Sequence, residues 1–318
     1  MDAIGRDEMI SVIIPNFNHG EFLPKRIETV LNQTHKNFEV IILDDCSSDD
    51  SQSVIAKFTP HPRISHVEFN PHNSGSPFKQ WKKGIDLARG NWIWIAESDD
   101  YADLTFLEKM SEAASMYPNV GLAYCDSNVV LGDVASGERF SSIKNKKMGT
   151  TRWSEDHFNS GLDEIQEYLL PEGSINNTSA VLFNKKVLID VNPFDIELRY
   201  TGDKYTFVKV LSRSNVAYVK EALNYFRNPF NNKHVDKFIF YFYEQFLIFN
   251  WAYRNLELTD KKKFLNGFHA NTRNSLFRGW GRVKFSLYVS LGKLNPRLLI
   301  RSVLHNFWLG FRSAVGFR

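Results

Sequence analysis

The chain has 318 residues, of which 43% are hydrophobic, 14% aromatic and 24% charged, and its formal net charge is +3, a balance that excludes a disordered chain, a collagen and a disulfide-built scaffold. Two cysteines, Cys46 and Cys125, are too few for a disulfide framework and point to a reducing compartment. The N-terminus holds no long apolar run, so no signal peptide is expected, and the aromatic stretch Phe238 to Tyr253 is broken by Glu244, Gln245 and Asn250 and is too short and polar for a membrane span.

Ile10-Ser11-Val12-Ile13-Ile14 is a short β-branched run ended by Pro15, which predicts a buried strand. Leu23, Ile27, Val30 and Leu31 then recur at helical spacing. Phe38 to Leu43 predicts a second strand, closed by Asp44 and Asp45, and Val54, Ile55 and Phe58 a short helix. Ile64 to Phe69 predicts a third strand, residues 77–89 a helix stopped at Gly90, and Trp92 to Ala96 a fourth strand followed at once by Glu97-Ser98-Asp99-Asp100. Strands alternating with helices predict an α/β domain with a doubly wound, mostly parallel sheet and helices on both faces. Farther on, Gly121 to Cys125 and Ala180 to Phe183 predict strands, residues 132–160 are polar and predict loop, and the chain beyond about residue 235 predicts helix. The expected division is a domain over 1–234 and a helical appendage over 235–318.

Charge is unevenly spread. Residues 261–318 hold twelve Lys and Arg and no Asp or Glu, which leaves 27 basic against 36 acidic residues, a net of −9, in the rest. An acidic body with a basic tail points the tail toward an anionic partner, with a phospholipid surface and nucleic acid as the candidates and a merely solvated face as the alternative.

In a doubly wound sheet, ligands bind beyond the carboxyl ends of the strands. Those ends here carry Pro15-Asn16-Phe17-Asn18, then Asp44-Asp45, then Glu97-Ser98-Asp99-Asp100. Acids gathered from several strand ends repel unless a cation neutralises them, and hard oxygen ligands suit Mg²⁺ or Mn²⁺ bridging to nucleotide phosphates. Asp49 and Asp50 are read as caps of the next helix.

These residues, in this order, resemble family 2 glycosyltransferases, which have the GT-A fold. The matching pieces are Ser11 to Asn18, Leu31-Asn32-Gln33-Thr34, Phe38 to Asp49, Asn73-Ser74-Gly75, Gly84, Ala88 to Asn91 and Glu97 to Asp100. A looser likeness runs on through Phe194-Asp195, Leu198-Arg199, Gly202-Asp203 and Tyr225-Phe226-Arg227, so it covers roughly 9–228. The resemblance implies an inverting transfer of a sugar from a nucleoside-diphosphate donor, a UDP-sugar by expectation, to an acceptor hydroxyl on a polysaccharide or lipid-linked oligosaccharide. It assigns residues 1–125 to the donor and 126–234 to acceptor and catalysis.

Carried over by position, Pro15, Phe17, Asp44 and Asp45 would line the nucleoside pocket, with Asn73 in the same donor-binding set. Glu97, Ser98 and Asp99 hold the family's Asp-x-Asp position, Glu97 facing the ribose and Asp99 a Mn²⁺ or Mg²⁺ ion on the diphosphate, with Asp100 a second candidate for either role, metal ligand included. Asp203 stands where the family keeps its catalytic base, and Lys79 is the lysine assigned to the phosphates. The chain departs from the family pattern in four places. Glu97 replaces an Asp, Cys46 a common Gly, Gly202 the Glu before the base, and the usual Arg is missing from the stretch Lys79 to Lys83. The alternative reading is a non-catalytic nucleotide-sugar-binding or membrane-associated scaffold of the same fold.

Histidines at 19, 35, 61, 66, 72 and 157 have no zinc-ligand spacing, and no Gly-x-Gly-x-x-Gly follows the first strand. In the tail, 297–316 suits an amphipathic helix, with Arg297, Arg301, His305 and Arg312 on one face and Ile300, Val303, Leu304, Phe307, Phe311 and Ala314 on the adjoining arc. Phe277, Trp280, Lys284, Phe285 and Tyr288 extend that character. The expected partner is an anionic membrane surface rather than nucleic acid, for which no recognition motif is present. The expected location is cytoplasmic, peripheral on the inner face of the membrane, with packing of the apolar arc on the domain as the alternative.

Overall fold

The computed structural model describes residues 8–132, 134–194, 198–227 and 237–261, with short pieces at 264–265, 267–268, 292–293, 295–297 and 299–300. The first part follows the predicted alternation: β1 (Ile10–Asn16), α1 (Leu23–Leu31), β2 (Phe38–Asp44), α2 (Ser51–Phe58), β3 (Ile64–Phe69), α3 (Pro77–Leu87) and β4 (Trp92–Ile95). Next come β5 (Tyr101–Ala102), α4 (Phe106–Met116), β6 (Val120–Leu131), β7 (Val134–Arg139), α5 (Phe140–Met148) and β8 (His157–Asn159). A helical stretch with a π turn over Glu164–Leu169 leads to β9 (Val181–Asn184), α6 (Lys185–Val191), α7 (Gly202–Leu211), β10 (Asn215–Arg227) and α8 (Lys237–Asn255).

The chain divides into two compact units, Met1–Gly161 with Ile175–Asn231, and Leu162–Ser174 with Asn232–Arg318. The first holds one sheet of order β3-β2-β1-β4-β9-β6-β10-β5, with β7 on β6 and β8 on β10. β3, β2, β1 and β4 run parallel; β9 is antiparallel to β4 and β6, and beyond it β6 and β10 are parallel to each other. Within this parallel half β1, β2 and β4 are buried on both faces, which is why their sequences are near-continuous apolar runs rather than alternating, while β3 is a half-exposed edge. Ile10, Val12 and Ile14 join one core with Leu23 and Ile27 of α1, Val54 and Ile55 of α2 and Phe106 of α4. Ile13 points the other way, as the strand period of two requires, and meets α3. There Gly84 lets the helix descend onto the strand: a Cβ at that position would lie 2.5 Å from Cγ2 of Ile13.

The polar stretch 132–160 is not the loop its composition predicts. It forms β7, α5 and β8, because the helix is anchored by a lysine instead of an apolar stripe. Buried Lys144 sets its Nζ 5.5 Å from the Tyr124 ring, 5.2 Å from Trp153 and 5.8 Å from Tyr218, a cation–π contact with three rings. Strand β10, not read from the sequence, carries Lys220 and Glu221 mid-strand where the pairing to β6 shifts register between Val219 and Ala222, so the bulge turns both charges outward.

In the second unit, Phe249 of α8 lies 5.3 Å from Phe264 and 4.9 Å from Phe268, and Gln166 Nε2 donates to Thr259 Oγ1 at 2.7 Å. Among the described residues no helix is long and apolar enough to cross a membrane. The amphipathic segment read over 297–316 lies outside the described residues except at Arg297, Leu299 and Ile300, as do Phe277, Trp280, Lys284, Phe285, Tyr288 and Asp195.

Gly84→Val puts two methyl groups and a Cβ into the Ile13 contact. It is expected to cost about 1–3 kcal/mol of stability, read as a lower denaturation midpoint with an unchanged slope.

Candidate active site

The tips of β1 and β2 are tied together first. Asn16 and Asp44 face each other in register, and Asn16 Nδ2 donates to Asp44 Oδ1 at 2.7 Å. Ser47 closes the turn, its N–H donating to Asp44 Oδ2 at 2.9 Å and its hydroxyl to Oδ1 at 2.6 Å. Asp44 is thus a fully buried fastener of the strand ends. Between these residues Cys46 adopts φ +64°, a left-handed conformation more natural to the Gly it replaces. Pro15 is buried in β1, whereas Phe17 at its tip is 45% exposed.

Asp45 is the hub of a second cluster. Its Oδ1 accepts from Asn70 Nδ2 at 2.7 Å, Ser74 N–H at 2.9 Å and Gln80 Nε2 at 2.8 Å, and its Oδ2 accepts from the Ser74 hydroxyl at 2.8 Å. Four donors fill the roughly four acceptor positions of a carboxylate. A further N–H from a ligand would have to displace one of them. Asn73 supports the same turn, donating to the Asp45 carbonyl at 3.1 Å and accepting from Gly75 N–H at 2.7 Å. Lys79, exposed, donates to the Ser74 carbonyl at 3.2 Å. Asp49 accepts from the N–H groups of Gly20 and Ser51 at 2.8 and 3.0 Å, the capping role read for it.

Beyond β4 the acidic run forms a third cluster. Trp81 Nε1 donates to Glu97 Oε1 at 2.8 Å, and the Ser98 hydroxyl is 2.8 Å from His19 Nδ1. Asp100 is buried and accepts Arg227 N–H at 2.9 Å, while Arg227 Nη1 donates to the Asp99 carbonyl at 2.8 Å. The Arg227 guanidinium is held by rings, 4.7 Å from Phe22 and 5.1 Å from Tyr101.

Beneath the run lies a fully buried Arg26. Its Nε donates to the Glu97 carbonyl at 2.8 Å and its Nη2 to the Ser179 hydroxyl at 3.2 Å, and that hydroxyl also takes the Glu97 N–H at 3.2 Å. Burial lowers the Arg26 pKa to about 10, against the pull of Asp100, Asp99 and Glu97, so it stays charged at neutral pH. It is the counter-ion of the acidic loop. Burial, then the charge of Asp99, pushes Glu97 up to about 8 and Asp100 up to about 7.

Asp203 lies in the first turn of α7, partly buried, its Oδ1 accepting Lys204 N–H at 2.7 Å. The structure thus brings Asp45, Asn73 and Lys79 to one cluster and Glu97, Ser98, Asp99 and Asp100 to another. Sequence reasoning missed Arg26, Gln80, Trp81, Ser179 and the reach of Arg227. Arg26 had a legible signal, since it falls inside the apolar stripe Leu23, Ile27, Val30 of α1 and a charge there must be buried and paired. Gln80 and Trp81 had none, because which face of α3 meets the strand ends is decided by packing.

The pattern of "Glycosyl transferase family 2" matches residues 11–172, about half the chain. The chain belongs to that family. It is 33% identical to Glycosyltransferase GlyG of Streptococcus pneumoniae over 129 residues, 40% of this chain and 39% of that protein. It is 27% identical to a Campylobacter jejuni GalNAc(5)-diNAcBac-PP-undecaprenol beta-1,3-glucosyltransferase over 173 residues, 47% of this chain and 56% of that protein. The chain therefore spans less than two-thirds of the length of these curated relatives. The crystal structure of S. aureus TarS 1-349 in complex with UDP superposes with a TM-score of 0.68 at 16% identity, over 94% of this chain and 88% of that one, a likeness of fold. The fold is the GT-A fold.

The raised pKa values of this family 2 chain have a signed consequence. Folded, Glu97 keeps its proton up to about pH 8, whereas its ordinary value is 4.5, so the folded state binds more protons across that window and stability falls as pH rises through it. Glu97→Gln removes one such group. Its melting temperature is expected to fall less steeply than the unsubstituted protein's between about pH 5 and 8 in metal-free buffer. Equal slopes in pH-resolved melts would discard the assignment.

Proposed function

We propose that the chain is an inverting glycosyltransferase that moves a sugar from a nucleoside-diphosphate sugar, a UDP-sugar by preference, to a hydroxyl of a growing polysaccharide or lipid-linked oligosaccharide. The observation that carries this is the gathering of Asp45 and the Glu97–Asp100 run at the ends of β2 and β4, the two strands that flank β1, in a chain of this family. Exposed Phe17 stacks on the base, with the Asp45 cluster beside it. The name of the Campylobacter relative, a glucosyltransferase on an undecaprenol-linked glycan, supports the acceptor class. The twelve basic residues of 261–318 support seating on the anionic inner face of the membrane, on the cytoplasmic side.

The donor set fits a divalent ion. Asp100 is buried and Glu97 half-buried, and desolvation together with the charge of Asp99 holds both toward their neutral forms, which leaves Asp99 as the carboxylate to offer. Among the described residues no group of three His, Cys, Asp or Glu converges, and Asp99 is the residue that would hold the ion. Bound Mn²⁺ or Mg²⁺ would supply charge neutralisation for the departing diphosphate. Glu97 reaches the ribose hydroxyls, and Lys79 comes to the phosphates from the Ser74 side.

Asp203 takes the acceptor hydroxyl's proton as that oxygen attacks the anomeric carbon. The bond from that carbon to the diphosphate oxygen breaks on the opposite face, its electron pair leaving with the nucleoside diphosphate. Configuration therefore inverts in a single displacement.

Phe17→Ala is expected to weaken binding of free UDP roughly 5- to 150-fold, the usual worth of a base stacked on a ring, without moving the melting temperature. Asp99→Ala is expected to abolish the Mn²⁺-dependent part of UDP binding in calorimetric titrations run with and without the ion. Metal dependence that survives would take Asp99 off the ligand list.

For Asp203→Asn, donor affinity is expected to hold while turnover drops by roughly 10²–10⁴-fold in a UDP-sugar hydrolysis or transfer assay. UDP binding with no turnover on any UDP- or GDP-sugar would favour the scaffold reading.

A further inference from the structure

Gly202, which stands beside Asp203, has a neighbour that explains it. A Cβ built on Gly202 would lie 2.6 Å from Cε2 and Cζ of Phe78 and 2.7 Å from Cδ2. Real carbon–carbon contacts begin near 3.5 Å. The ring of Phe78 therefore fills the space that any side chain at 202 would enter. Phe78 in turn meets Trp81 edge to face, with centroids 4.8 Å apart and planes at 84°. Trp81 is 2% exposed and spends its one N–H on Glu97 Oε1 at 2.8 Å. Glu97 is then fixed through its own main chain by Arg26 and Ser179. An unbroken line of contacts runs from the first turn of α7 to the acidic loop, and both intermediate members come from one turn of α3.

We propose that Phe78 and Trp81 are positioning residues that set the distance between Asp203 on α7 and the Glu97–Asp100 loop, and that Gly202 is glycine because Phe78 occupies its side-chain space. This rests on reading Asp203 as the base. The physical case is that an edge-to-face pair of rings is stiff and incompressible, whereas the exchange of Gly for any larger residue must move either the ring or the helix. Base catalysis is sensitive to such movement, because a displacement of about 1 Å can cost roughly 10²-fold. Stacking of the base on Phe17, at the tip of β1, runs through neither Phe78 nor Trp81 and is spared.

The test is a double-mutant cycle on the full chain with Phe78→Ala, Gly202→Ala and both together. Hydrolysis of a UDP-sugar panel with Mn²⁺ reads kcat, and calorimetry with UDP and Mn²⁺ reads donor affinity. Each single substitution is expected to lower kcat at least tenfold, by a larger factor than it weakens UDP affinity. The pair is expected to be no worse than the worse single, because Phe78→Ala vacates the space that the methyl group of Gly202→Ala enters. Full turnover in Phe78→Ala, or losses that multiply in the double variant, would overturn the proposal. Should Phe78→Ala fail to fold, Phe78→Leu replaces it in the same cycle.

Amide hydrogen exchange of the ligand-free chain gives a readout independent of turnover. Phe78→Ala is expected to quicken exchange at 97–100 and at 203–206 together, and quickening confined to α3 would overturn the coupling. Asp203→Asn run alongside separates the two claims. Loss there with none in Phe78→Ala keeps the base and removes the positioning pair, while no loss there removes the base and the positioning role with it.

Discussion

Helix α3 is held down on β1 by the absence of a side chain at Gly84, and everything at the strand ends is built on that approach. With the helix close, three neighbouring residues reach three different places. Gln80 donates to Asp45, Trp81 donates to Glu97, and Phe78 lies against Gly202. A helix turn is about 5 Å long, so side chains on one turn can serve sites only a few ångströms apart. Moving α3 outward by the width of one methyl group would disturb all three contacts at once.

The acidic loop poses the opposite problem, since Glu97, Asp99 and Asp100 crowd like charges into four residues. The fold answers with a cation from below and one from the side. Arg26 is buried under the loop and grips its main chain; Arg227 is held between Phe22 and Tyr101 and grips it again at Asp99. Guanidinium bonds of Arg26 and Arg227 to this loop go to the carbonyls of Glu97 and Asp99, and the Arg227 N–H goes to the Asp100 carboxylate. What charge remains is absorbed by protonation, which is why the burial of Glu97 and Asp100 raises their pKa values. Under the proposed function, a bound cation and a bound proton would be alternatives at this loop.

Asp44 and Asp45 show how adjacent acids can differ in kind. Asp44 is consumed in holding β1 to β2, and Asp45 in holding the turn at Ser74 against α3. Both are first structural, and a base that bonds to Asp45 has to displace one of the four donors that hold it.

The sequence by itself determined the parallel half of the sheet, because continuous Val and Ile runs between helical repeats admit few other folds, and it determined which acids lie at the strand ends, because those acids follow the runs directly. It also determined the family, through the order of short motifs from Ser11 to Asp100. Only the tertiary structure decided what those residues touch. Lys144 could not be recognised as a core residue until three rings closed around it. Nor could Arg26 be matched to Glu97, 71 positions away, or Phe78 to Gly202, before the helices had docked. Hydrophobic period is a local property and can be read locally. The pairing of a charge with its counter-ion, or of a ring with a missing side chain, depends on distances that exist only after the chain has closed on itself.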